Sequence, residues 1–171
     1  MNVAEQYADY LAAKGCTHAF GLVGGANLTL FEAIARRLTL VSVCHEQAAA
    51  IAANYHYRTC GRIAPCIVTN GGGSSNAVTG VIEAHMDGIP LLVISGNEQM
   101  RFQQQTRCRT IGFQGIDACA LVHSITKKCV QVDNPLGARL ALDALYHEAL
   151  EPRQGAVWLD VPQDVAGKPA E

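Results

Sequence analysis

Apolar and polar positions along this chain fall into blocks, and the period of the pattern changes from block to block. Tyr7, Tyr10 and Leu11 recur at helical spacing, so Asn2 to Lys14 reads as a first helix. Asn2 can cap it, with Glu5 as the partner of a capping box, and Gly15 ends it. His18 to Val23 reads as a strand, Leu28 to Arg37 as a helix and Leu40 to Cys44 as a second strand. Glu46 to Arg58 is an alanine-rich helix. Ala64 to Thr69 is an apolar strand, Asn70 to Asn76 a glycine-rich turn, and Ala77 to Met86 a helix. Pro90 to Ser95 is the next strand. Gly96 to Gly115 is polar with neither period, and loops of that length usually carry function or move. Ile116 to Val122 is a short helix, Thr126 to Val132 a strand, Leu136 to Leu150 a helix, and Val157 to Val161 a last strand closed by Pro162.

Strands alternating with helices predict an α/β fold: a single doubly wound domain over residues 1–171. Its sheet should be mainly parallel, with about six strands and helices on both faces. No internal repeat or linker interrupts it. Right-handed crossovers bring all strand C-termini to one edge. Gly24-Gly25, Glu46 and Gly71 to Gly73 all follow strands, so they should meet there, where open α/β sheets place ligands.

Composition narrows the function classes. Of 171 residues, 49% are hydrophobic and 16% charged. The charged share is below the roughly 25% of a typical soluble domain, as expected for a buried sheet or for surface hidden in an oligomer. A net charge of -2 without a basic stripe argues against nucleic acid as a partner. No apolar run reaches the roughly 18 residues of a membrane span. Met1 leads into Asn-Val-Ala-Glu-Gln, which is no signal peptide, so a cytoplasmic location is expected. The cysteines are Cys16, Cys44, Cys60, Cys66, Cys108, Cys119 and Cys129. Their odd number and the lack of any C-x-x-C argue against a disulfide framework or a zinc site. They are expected to be small core hydrophobes in a reducing compartment.

Glu46 is the sole carboxylate between Thr39 and Tyr57. Two readings fit it. It can favour a helix N-terminus, worth roughly 0.3–1 kcal/mol. It can also be a reactive acid, because small apolar neighbours desolvate it and penalise its charge. Cys44, two residues earlier, is a minor nucleophile candidate, and His45 reads as structural. The glycines at 71 to 73 let another molecule approach the backbone. As a nucleotide fingerprint they are weak: Asn76 stands where G-x-G-x-x-G needs glycine, and a P-loop lysine is missing. Asn76 could instead cap the following helix.

Taken together, several segments resemble the pyrimidine-binding domain of thiamine-diphosphate enzymes, in the acetolactate synthase and 2-oxo-acid decarboxylase branch. Phe20 to Leu28 is similar to the family's first strand and Pro-Gly-Gly turn. Cys44-His45-Glu46-Gln47-Ala48-Ala49 resembles its glutamate motif, and Thr69 to Asn76 its Thr-Ser-Gly-Pro-Gly-x-x-Asn turn. Asp87 to Leu91, Phe113-Gln114, Ile125 to Lys127 and Asp160 to Val165 follow in the family's order.

The resemblance implies that Glu46 is the catalytic acid, accepting a hydrogen bond from the cofactor's aminopyrimidine and so promoting proton loss from its thiazolium ring. It implies cofactor contacts at Val23, Gly24, Gly25, Thr69, Gly72 and Asn76. It implies substrate contacts at Asn27, Gly73, Ser74 and Gln114. The cofactor would be thiamine diphosphate, and no metal ligand is expected on this chain. Gly-Asp-Gly, the family's diphosphate and metal motif, occurs nowhere in the sequence. The expectation is therefore a stand-alone pyrimidine-binding subunit of a split enzyme. A partner subunit would carry Gly-Asp-Gly and a downstream Asn and hold Mg²⁺, in a heterotetramer or larger assembly. The reaction would be decarboxylation of a 2-oxo acid, with carboligation favoured. Alternatives are a phosphonopyruvate or sulfopyruvate decarboxylase subunit, a non-catalytic homologue, or a self-sufficient nucleotide-binding domain. Three departures bear on substrate: Val23 and Gly72 stand where the family has proline, and Gly115 where the acetolactate branch has an acid.

Overall fold

The computed structural model describes residues 1–103 and 109–170. The chain runs α1 (Val3–Ala13), β1 (His18–Gly21), α2 (Leu28–Ala35), β2 (Thr39–Ser42), α3 (Glu46–Cys60), β3 (Cys66–Val68) and α4 (Gly72–Asp87). It continues with β4 (Leu92–Asn97), α5 (Met100–Gln103), α6 (Ala118–Val122), β5 (Lys128–Gln131), α7 (Ala138–Leu150), β6 (Val157–Pro162) and α8 (Gln163–Ala166). The expected capping box forms: the Glu5 amide donates to Asn2 Oδ1 at 2.8 Å, and the Asn2 amide donates to Glu5 Oε2 at 2.9 Å.

The six strands form one sheet in the order β2-β1-β3-β4-β6-β5, and every pairing is parallel. The crossover from β2 to β3 passes over β1, so the winding reverses between β1 and β3. That reversal opens a crevice at the strand C-termini. The inner strands are apolar on both sides, as a covered parallel sheet requires. Ile67, Leu92, Ile94 and Leu159 pack under α1, α2, α7 and α8 with Tyr7, Leu11, Leu30 and Leu142. Cys66, Val68, Val93 and Trp158 pack under α3, α4 and α6 with Ala49, Ala50, Ala53 and Ala77. No described helix is long and apolar enough to cross a membrane.

Four local expectations are corrected. The first is that α4 starts at Gly72, not Ala77, with Gly71 as its N-cap; Asn76 therefore lies in the second turn and caps nothing. Gly73 is needed there because the first turn passes close to Thr69 and Glu46, and Gly71 because the cap takes a positive φ against the Gln114 carbonyl. Secondly, the polar stretch is partly ordered: β4 runs on to Asn97 and α5 follows, while residues 104–108 lie outside the described residues. A third correction concerns the cysteines. Cys16 and Cys66 are buried, but Cys44 and Cys60 are exposed. Cys44 follows β2, an edge strand with little cover, and Cys60 ends a helix. Cys108 lies outside the described residues. Finally, Cys119 and Cys129 form a disulfide across ten residues, joining α6 to β5. Their spacing matches no recognisable motif, whereas the packing of α6 on β5 brings their Cα atoms to 5.3 Å.

Candidate active site

The site grows from the start of α3. Edge strand β2 ends at Ser42, and His45 turns the chain as an extended N-cap whose ring accepts from the Gln47 amide at 3.2 Å. Glu46 is then the first helical residue and is 6% exposed. Its Oε2 accepts from Asn76 Nδ2 at 2.9 Å, whereas its Oε1 accepts no hydrogen bond among the described residues. A carboxylate this buried with one oxygen unpaired is open to a donor from outside the chain. Close helix packing sets the pair. Asn54 Nδ2 donates to the Gly80 carbonyl at 2.8 Å, and a Cβ on Gly80 would lie 2.5 Å from that of Ala50. Burial pushes the Cys66 thiol up, and the negative charge of Glu46 adds to that rise.

Thr69 joins the two glycine turns. A Cβ on Gly24 would lie 2.6 Å from Thr69 Cβ, and one on Gly73 would lie 2.7 Å from Thr69 Cγ2 and 3.1 Å from Glu46 Oε1. Both glycines are there for close approach, not flexibility. At Gly71, φ is 59°, and a Cβ would lie 2.2 Å from the Gln114 carbonyl oxygen. Asn27 is fully buried, with its amide committed to the first turn. Its Oδ1 accepts from Gly24 N–H at 2.7 Å and its Nδ2 donates to the Leu22 carbonyl at 3.0 Å. Ser74 donates to the Thr69 carbonyl at 2.9 Å. Val23, Gly25 and Gly72 face outward.

Beyond the glycines lies a cleft of about 240 Å³, lined by Gly25, Ala26, Asn70, Glu98, Phe113 and Gln114 among others. A hydrogen-bonded chain leads from β6 to the Glu98 amide. Asp160, on β6, accepts from Ser95 Oγ at 2.5 Å, Asn97 Nδ2 at 2.6 Å and Gln131 Nε2 at 2.8 Å. Asn97 Oδ1 accepts from the Glu98 amide at 2.8 Å. Burial pushes the Asp160 carboxyl above the ordinary carboxylate range, against the pull of those donors.

Residues 1–121 match the thiamine pyrophosphate enzyme, N-terminal TPP binding domain. The chain belongs to that family. It is 33% identical to the acetolactate synthase of Arthrospira platensis over 162 residues, 92% of this chain and 27% of that protein. Against the probable acetolactate synthase large subunit of Methanocaldococcus jannaschii, identity is 35% over 169 residues, 96% of this chain and 27% of the other. Against the large subunit from Corynebacterium glutamicum it is 33% over 148 residues, 85% and 23% of the two chains. The chain therefore spans about a quarter of the length of these relatives.

The donor set fits the TPP enzyme family's cofactor. A flat, weakly basic ring needs a dry acceptor at its edge and bare backbone along its face. Glu46 Oε1 is left free to accept, and Gly25 and Gly72 leave the backbone uncovered, since a Cβ on either would meet nothing within 4 Å. The structure thus gathers Glu46, Asn76, Gly73, Thr69 and Gly24 at one point, and Gly25 and Gln114 at the cleft beside it. Sequence reasoning missed Glu98 and Asn70. A signal for Glu98 existed: like Glu46, it is an acid within three residues of the end of a predicted strand.

Proposed function

We propose that this chain is the pyrimidine-binding subunit of a split thiamine-diphosphate enzyme that decarboxylates a 2-oxo acid and joins the product to a second carbonyl. One observation carries the reading: at the strand C-termini Glu46 is 6% exposed, paired on one oxygen with Asn76 and unpaired on the other. Val23, Gly24, Gly25, Thr69, Gly72 and Asn76 would frame the ring, and Gln114 and the Gly73 backbone would face the substrate. Asn27 and Ser74 hold the turns in place. When bound, the cofactor supplies a nucleophilic carbon and an electron sink for decarboxylation. Glu46 Oε1 would accept a hydrogen bond from the ring, with the packed alanines of α3 beside it.

Among the described residues, apolar side chains rim the outer side of the site. Val23, Leu28 and Phe113 are 47%, 58% and 93% exposed there. That apolar rim supports docking of a diphosphate-binding chain that carries Gly-Asp-Gly and Mg²⁺, with two copies of each as the smallest assembly. A cytoplasmic location belongs to the same reading.

The test is reconstitution. This chain is mixed with the product of a neighbouring reading frame that contains Gly-Asp-Gly, and release of CO₂ from 2-oxo acids is followed. Turnover is expected only in the mixture with thiamine diphosphate and Mg²⁺. Tight Mg²⁺-dependent cofactor binding by this chain alone would overturn the split-enzyme reading.

A further inference from the structure

Glu98 is a second buried carboxylate at the strand C-termini, 6% exposed, and the proton chemistry assigned to Glu46 does not use it. Its Oε1 accepts from Asn70 Nδ2 at 3.2 Å and from the Gln114 amide at 3.3 Å. Gln114 Nε2 closes a ring by donating to Asn70 Oδ1 at 2.8 Å. Its Oε2 accepts no hydrogen bond among the described residues. Room for that oxygen is made by a glycine: a Cβ on Gly112 would lie 2.8 Å from Oε2. Among the described residues lining the cleft, Glu98 alone is charged. The cleft adjoins Glu46 through the glycines, since Gly71 backs onto Gln114 and Gly73 onto Glu46.

We propose that Glu98 is a specificity-determining residue, and that this cleft receives a hydrogen-bond-donating group of the substrate, hydroxyl or ammonium, and rejects a second carboxylate. The inference rests on the thiamine-diphosphate reading for what the substrate is. The carboxylate of a 2-oxo acid that leaves as CO₂ has to sit elsewhere, because a like charge beside a desolvated Glu98 is disfavoured. The distal end of the molecule then enters the cleft. A donor there completes Oε2, while a methyl group or a carboxylate leaves it unpaired.

Two measurements test this, and they fail independently. In the reconstituted enzyme, 3-hydroxypyruvate, pyruvate and 2-oxoglutarate are compared for wild type and Glu98→Gln. Relative to pyruvate, the variant is expected to lose about tenfold in kcat/KM on the hydroxy acid and to gain on 2-oxoglutarate. In the wild-type chain alone, the side-chain amide NMR signals of Asn70 and Gln114 are followed during titration with ethanolamine, ethylene glycol or acetate. Ethanolamine or ethylene glycol should shift both signals, and which of them does so separates a cationic from a neutral donor; acetate should shift neither. This arm needs no cofactor, partner or variant, so it stands if the thiamine-diphosphate reading fails or if Glu98→Gln folds poorly. Equal responses to acetate and ethanolamine, or an unchanged substrate ranking in Glu98→Gln, would overturn the proposal.

Discussion

The two faces of the sheet are filled in contrasting ways. Under α1, α2, α7 and α8 the filling is large: Tyr7, Leu11, Leu30, Ile34, Leu142 and Leu145 are all fully buried. Under α3 and α4 it is mostly small: Ala49, Ala50, Ala53, Ala77 and Ala84, with Trp158 and Leu91 as larger side chains. Large side chains bury the most area, each worth roughly 1.5–3 kcal/mol, and hold helix and sheet apart. Small ones contribute less but let backbones touch, as Gly80 does against Ala50. The first face is built to hold the fold together. The second fixes Glu46 on α3 against Asn76 on α4.

The contrast breaks if activity and stability respond alike to changes on the two faces. The largest effect is expected from Glu46→Gln. Turnover of the reconstituted enzyme should fall by about 10²–10⁴-fold, in line with loss of a positioned acid, while thermal unfolding barely moves. Unchanged steady-state turnover would remove this edge as the reacting site. Leu142→Ala should do the opposite. Urea unfolding should show a loss of about 2–5 kcal/mol, with turnover per folded molecule preserved. Gly80→Ala sharpens the comparison by touching both properties. Its new Cβ meets Ala50, so about 1–3 kcal/mol should be lost, and cofactor affinity should weaken as α4 moves Asn76 away from Glu46. Calorimetry on the same samples reads both.

The smallest effect is one of pH. Asp160 titrates above the ordinary range because burial outweighs its donors. The native state therefore holds that proton more tightly than the unfolded chain does. Stability from this group is complete below the unfolded carboxylate range and is lost as pH rises through the folded value. Asp160→Asn should flatten the slope of urea midpoint against pH over the mildly acidic range. A slope identical to wild type would mean that the buried carboxyl is not the group responsible.

Order and type of the elements were legible because hydrophobic period separates strands from helices. Glu46 was legible as a lone acid where a strand gives way to a helix. The start of α4 was not. Three glycines favour a loop by local propensity, and only the tertiary contacts of Gly73 with Thr69 and Glu46 and of Gly71 with Gln114 show what two of them are for. Glu98 was hidden in a polar run, and its burial comes from Gly112 and Gly115 folding back over it. The Cys119–Cys129 bond follows from how α6 lies on β5, which no spacing rule encodes. Asn27 matched a family position but spends its amide on its own turn.

Thr69 touches the turns on either side of it, so neither can shift without pushing the other. Loop Gly24-Gly25 and the first turn of α4 thus share one side chain as their spacer, and a ligand pressing on one jaw would be felt at the other through its methyl group. A swap to serine, which deletes that methyl yet keeps the hydroxyl, would uncouple the jaws and leave each free to close alone.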